Sequence, residues 1–231
     1  NVETLYGGAN KADVTGNITL NINNGIITNA FGGNNLEGNV SGNVFVNVLG
    51  GEISYLYGAG NKAPDDYIST LNILNGKVDN LFGGGLEASV QEVNIKTNAG
   101  VIIKNLFGGG DAGNTTGNII IDTSANIENL YSGANQANVG GNISLTINGG
   151  TVGNAFGGNN VSGIINGNVD VVINSGTISN LYGAGNQASD DYKTTIKINN
   201  GNVSELYGGG LEASVGSTEI VVVNGIIGSI Y

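Results

Sequence analysis

The chain has no cysteine, methionine, tryptophan, histidine or arginine, one proline, and charged residues at only 11% of its 231 positions. Without Cys or His there is no disulfide framework, no thiol nucleophile, no imidazole for acid–base work and no soft metal ligand; without Arg there is no guanidinium clamp. Chemistry is left to carboxylates, amides, hydroxyls, aromatic rings and seven lysines. A net charge of −11 argues against nucleic acid as a partner, because phosphate contacts need clustered cations. No apolar stretch approaches the roughly twenty residues of a bilayer-spanning helix, so membrane insertion is not expected.

Glycine is what the chain has in excess, with 42 residues. It is too apolar and too periodic to be disordered, which turns attention to repeats. The stretch YLYGAGNKAPDDY at 55–67 returns as NLYGAGNQASDDY at 180–192, an offset of 125 residues. The same offset relates Ala9-Asn10-Lys11-Ala12 to Ala134-Asn135-Gln136-Ala137, and Leu86-Glu87-Ala88-Ser89-Val90 to Leu211-Glu212-Ala213-Ser214-Val215. The repeating unit is half the chain, and the duplication runs roughly over 7–131 and 132–231.

Aromatics set a finer register. Tyr6, Phe31, Tyr57, Phe82, Phe107, Tyr131, Phe156, Tyr182, Tyr207 and Tyr231 recur every 24 to 26 residues, each with Val or Ile four places before it. Glycine follows each aromatic within a complete repeat except Tyr131, where Ser132-Gly133 stands. Upstream lie alternating runs such as Ile18-Thr19-Leu20-Asn21-Ile22 and Val169-Asp170-Val171-Val172-Ile173, the signature of a strand that buries one face. Turns are expected at Asn24-Gly25, Gly50-Gly51, Asn75-Gly76, Gly149-Gly150 and Asn200-Gly201, because glycine accepts the positive φ of a tight corner. Two coils break step, near Lys96–Gly100 and near Asp122–Asn126, and a bulge or a corner adjustment is expected in each.

A period of about 25 residues with short strands, glycine corners and no helical pattern predicts an all-β fold: a right-handed parallel β-helix, or β-solenoid. It would hold about nine coils, built as a tandem duplication of a 125-residue, five-coil unit in one domain spanning 1–231. Both termini fall inside a repeat, so the chain is expected to be a fragment of a larger protein with flanking domains. Open solenoid ends are unpaired sheet edges, which makes end-to-end self-association an expectation too.

The pattern Asn-Gly-Gly-x-Val-x-Asn-(Leu/Ala)-(Tyr/Phe)-Gly-Gly-(Gly/Asn) resembles the glycine- and asparagine-rich β-helix repeats of large secreted or cell-wall-attached bacterial proteins, adhesin-like ones among them. The resemblance covers the whole chain. It implies an extracellular, cell-surface or cell-wall location and a non-enzymatic stalk or adhesive surface, with a surface glycan or a host cell-surface protein as partner. The alternative is a carbohydrate-binding or polysaccharide-degrading β-helix. Pectate-lyase-like enzymes resemble it less, since they use a basic residue, commonly Arg, and polygalacturonase-like ones use a supporting His; neither residue is present.

Two sets of candidate site residues follow. Tyr6, Tyr57, Phe82, Tyr182 and Tyr207 form a candidate platform for the apolar faces of sugars or for a partner protein if they face solvent; if they face inward they are core. Alternation counted from the β-branched position points the aromatics inward and would bury with them the column that includes Asn29, Asn80, Asn105, Asn129, Asn154 and Asn180; a bend at Asn would reverse the face, and stacked asparagines can satisfy one another. Asp65, Asp66, Asp190 and Asp191 read as solvated charge that guards exposed edges, or as candidate Ca²⁺ ligands together with other loop acids. Five coils separate the two Asp-Asp pairs, roughly 24 Å at the usual strand spacing, too far for one acid–base pair. No other cofactor is expected.

Overall fold

The computed structural model describes residues 1–64 and 66–231. The strands run β1 (Val2–Tyr6), β2 (Ile18–Ile22), β3 (Ile26–Phe31), β4 (Val44–Val48), β5 (Glu52–Tyr57), β6 (Ile68–Ile73) and β7 (Lys77–Phe82). There follow β8 (Glu92–Thr97), β9 (Ile102–Phe107), β10 (Ile119–Thr123), β11 (Asn126–Tyr131), β12 (Ile143–Ile147) and β13 (Thr151–Phe156). The last are β14 (Val169–Ile173), β15 (Thr177–Tyr182), β16 (Lys193–Ile198), β17 (Asn202–Tyr207), β18 (Ser217–Val222) and β19 (Ile226–Ile230). Odd-numbered strands make one sheet of ten, even-numbered strands a second of nine, and every pairing is parallel to the next coil. This is a β-solenoid of about nine turns with a rise of about 25 residues per turn. Its third side is mostly loop, stitched by single bridges from Val14 to Val40 and along Val90, Thr115, Val139 and Ile165.

In the even sheet the alternation of the sequence is realised directly. Val44, Val46 and Val48 on β4 are fully buried while Phe45 and Asn47 are half-buried on the outside. Each inward residue sits against its counterparts one coil away, Ile143 against Val169 and Ile147 against Ile173, for example. A like side chain above and below fills space without voids, which is why one residue class returns at each inward position.

The corner between the sheets is a column of glycines. Gly25, Gly51, Gly76, Gly150 and Gly201 all have φ between +75° and +125°, as the Asn-Gly and Gly-Gly pairs predict. The two irregular coils are adjusted at this same corner. The link from β8 to β9 spans 98–101, one residue more than usual, and that from β10 to β11 spans 124–125, one fewer. Thr97 and Thr123 replace the aliphatic residues at the end of the even strands there, both buried, with their hydroxyls 2.6 Å apart. The shorter corner needs no positive φ, since the Thr123 hydroxyl accepts the Ala125 N–H at 3.2 Å.

Candidate functional site

Along the odd sheet the alternation breaks at one place in every coil. On β9, Ile103 is buried, Lys104 and Asn105 both turn outward, and Leu106 is buried again. The strand bends at Asn, so the aromatic that follows leaves the main core. Phe31, Tyr57, Phe82 and Phe107 pack as a cluster of their own, with Tyr6, Leu86 and Tyr131 against them.

All ten grid aromatics, from Tyr6 to Tyr231, form one continuous stack, with centroids 4.6–5.0 Å apart and planes within 13° of parallel. At that spacing each ring face is covered by its neighbours. The candidate platform residues Tyr57, Phe82 and Tyr182 are buried, and Tyr6 and Tyr207 half-buried. What the column presents away from its two ends is ring edges, and a sugar ring cannot enter between the faces. Burial raises the phenol of Tyr57, helped by Asp111 and Tyr55; burial also raises those of Tyr131 and Tyr182, the latter with Glu205 adding to it. Tyr207 donates to the Glu205 carboxylate at 2.5 Å, which, with burial, pushes its phenol up to about 12.

The asparagines just before the aromatics form the ladder that stacking allows. Asn105 donates to Asn80 at 2.9 Å, Asn129 to Asn105 at 3.0 Å, Asn154 to Asn129 at 2.9 Å and Asn180 to Asn154 at 2.8 Å. Tyr55 interrupts the column below Asn80, which turns instead to the Ser54 carbonyl. Further ladders run through Asn10, Asn35 and Asn61, through Asp111, Asn135, Asn160 and Asn186, and through Asp122, Asn148, Asn174 and Asn199.

Of the Asp-Asp residues, Asp65 lies outside the described residues. Asp66 is exposed beside a shallow depression that also involves Asn39, Pro64 and Ser89. Asp190 is half-buried, and both its oxygens are used: one accepts the Ile165 N–H and the other the Asp191 N–H at 2.8 Å. Ile165 ends the bridge column of the third side, so this carboxylate takes the place that the Ile164 carbonyl takes for Val139. Asp191 is exposed. Among the described residues no three carboxylates come together in a way that could hold a metal ion.

Several residues that matter here are not picked out by the periodicity. Asn34 and Asn159 replace a Gly or Ala of the repeat and are buried. Their Oδ1 atoms accept the N–H of Ala9 and of Ala134 at 2.7 Å, and their Nδ2 atoms donate to the carbonyls of Gly38 and Ala137. Beside them the buried rings of Tyr67 and Tyr192 reach inward to Gly33 and Gly158, where a Cβ would collide with the phenol oxygen. Burial, with Asp190 adding to it, raises the Tyr192 phenol.

The bend in the odd sheet also creates a groove of about 700 Å³, reaching across β5, β7, β9, β11 and β13. Tyr55 stands in it 42% exposed, and Asn80 and Asn105 line it. Lys77 pairs with Asp79 at 3.5 Å. Lys104 on β9 is flanked in the same outward column by Asp79 on β7 and Glu128 on β11. The signal that could have found it is Tyr55, an aromatic off the grid in a place that six of the ten odd-numbered strands give to Asn.

Comparison with models of known protein families, with curated proteins and with solved structures finds no match for this chain.

Proposed function

We propose that this chain is a non-enzymatic structural segment: a stiff rod in a bacterial surface or secreted protein, which holds an adhesive face toward a surface glycan or a host cell-surface protein. The observation that carries this reading is the continuity of the pairing. Ten and nine parallel strands run without a break, each in register with the coil below, and a ten-ring stack runs beside them. Bending such a rod opens backbone hydrogen bonds, packed Val/Ile columns and ring contacts together, so stiffness follows from the repeat itself. The excess of acid, −11 overall, keeps neighbouring rods apart.

The polysaccharide-degrading alternative draws less support, because the Asp190 carboxylate is occupied by backbone N–H groups. Three measurements test the proposal. The chain has no native cysteine, so dyes placed at Thr4→Cys and Ser229→Cys report its end-to-end distance; a narrow distribution is expected, and a broad one sinks the rod. Protease shaving of intact source cells should release peptides of this chain, and their confinement to the cytosolic fraction would overturn the surface location. Release of sugar from a polysaccharide panel, abolished when Asp65, Asp66, Asp190 and Asp191 are all replaced by Asn, would establish the enzymatic reading instead.

A further inference from the structure

We infer that the groove around Tyr55 and Lys104 is the adhesive face of the rod, and that it binds an uncharged, extended oligosaccharide. This rests on the reading of the chain as an adhesive rod and names the surface and the class of ligand. At about 700 Å³ the groove has the capacity of a small-ligand site. It follows the solenoid axis across five neighbouring strands, about 19 Å between the outer two at the usual strand spacing.

Its chemistry favours a chain of sugars over a charged polymer. Two lysines, Lys77 and Lys104, and two carboxylates, Asp79 and Glu128, interleave on adjacent strands. A polyanion or a polycation would bring half of these against its own sign, whereas hydroxyl groups donate to the carboxylates and accept from the ammonium groups. An Asn amide has two N–H donors and two acceptor lone pairs. The ladder uses one of each on Asn105, so this amide keeps one donor and one acceptor. Asn80, one strand spacing away, has likewise one donor and one acceptor engaged, the donor by the Ser54 carbonyl, and paired neighbouring hydroxyls on two successive sugar units present the matching donor and acceptor. Tyr55 closes one end with an exposed aromatic surface suited to the apolar face of a pyranose ring.

The second copy of the duplication supplies an internal control. At the 125-residue offset Tyr55, Lys77 and Asp79 correspond to Asn180, Asn202 and Ser204. These three side chains are therefore dispensable to the solenoid, since the equivalent strands β15 and β17 pair in the same register without them.

The test starts from an array of neutral, uronic-acid and amino-sugar glycans, followed by calorimetric titration of the chain with the neutral hexasaccharide that binds. Tyr55→Asn makes the first copy like the second and extends a ladder the fold already uses; it should weaken binding about tenfold or more, equivalent to about 1.4 kcal/mol. Lys104→Met should weaken it independently, while Ser204→Ala on the second copy should leave it unchanged. The melting temperature of each variant separates lost binding from lost fold, and Tyr55→Leu repeats the test should the Asn variant misfold. No binding to any neutral glycan, binding undiminished in Tyr55→Asn and Lys104→Met, preference for the uronic-acid or amino-sugar polymers, or equal affinity for an uncharged unstructured peptide would each overturn the inference. The rod is judged separately by its end-to-end distance, so failure of the groove and failure of the rod are distinguishable.

Discussion

Leu56 and Leu181, Asn34 and Asn159, and Tyr67 and Tyr192 stand 125 residues apart and occupy equivalent buried places in the two copies of the repeat. Ser69 and Thr194 do the same, each sending a hydroxyl across the interior to a glycine carbonyl, that of Gly83 at 2.9 Å and that of Gly183 at 2.7 Å. On the outside the correspondence fails: Asn80 corresponds to Glu205, buried Phe82 to the half-buried Tyr207, and Tyr55, Lys77 and Asp79 of the groove to Asn180, Asn202 and Ser204. Every inward position is bounded by the coils on both sides and by the opposite sheet, so a change there leaves a void or an unpaired polar group. Outward positions meet water, which accepts almost any side chain. Duplication therefore copied one interior, and the two exteriors are free to differ.

The most damaging way to test that equivalence is to open the core of each copy. Leu56→Ala and Leu181→Ala should each lose about 2–5 kcal/mol in urea unfolding, by similar amounts, because both are fully buried; a large disparity would break the comparison. Next come the buried amides. Asn34→Ala and Asn159→Ala each leave a backbone donor and a backbone acceptor unpaired and should cost about 1–3 kcal/mol. Asn159 should be the more sensitive, since its bond to Ala134 is buried while that of Asn34 to Ala9 is only partly so.

Ser132 is an interior place where a polar residue of one copy answers a glycine of the other, Gly7. It is buried, and its hydroxyl finds no hydrogen-bond partner among the described residues. Ser132→Ala should raise stability by about 1 kcal/mol, read as a shift in the urea midpoint.

The smallest effect sharpens an exterior difference. The Tyr207 phenol is raised from its ordinary 10.0 to about 12, chiefly by its bond to Glu205. The folded chain thus holds this proton where the unfolded chain releases it. The resulting stability is complete below pH 10 and is lost as pH rises toward 12. Tyr207→Phe restores the ring of the first copy and should flatten the decline of the urea midpoint between pH 9 and pH 11 relative to the parent. An identical decline would show that the Glu205 bond has no influence on folding.

Much of this architecture is legible in the chain. The aromatic grid, the Val or Ile four places earlier and the Asn-Gly and Gly-Gly corners give the number of coils, their register and the corner glycines that need positive φ, because each follows from a period of about 25 residues repeated with little change; Gly38 and Gly163, outside the corners, take positive φ without that signal. Even the two irregular corners are visible as slips in that period. The candidate site is less legible. Asp65-Asp66 and Asp190-Asp191 stand out as a repeated motif, yet Asp190 terminates a backbone column. Tyr55, Lys77, Asp79 and Lys104 look like noise against the repeat, because a groove is defined by side chains from strands that lie about 25 residues apart in sequence.

By itself the sequence determined that the chain winds into parallel coils, since alternation, corner glycine and period are local properties that each repeat states for itself. Only the tertiary structure decided which way the aromatic column faces. Two outward residues in succession, Lys104 and Asn105 on β9 among them, bend the strand and carry the rings out of the main core into a stack of their own. That bend depends on Ile103 and Leu106 both being accommodated inside at once, a condition set by the packing of the coils above and below and by nothing within a single repeat.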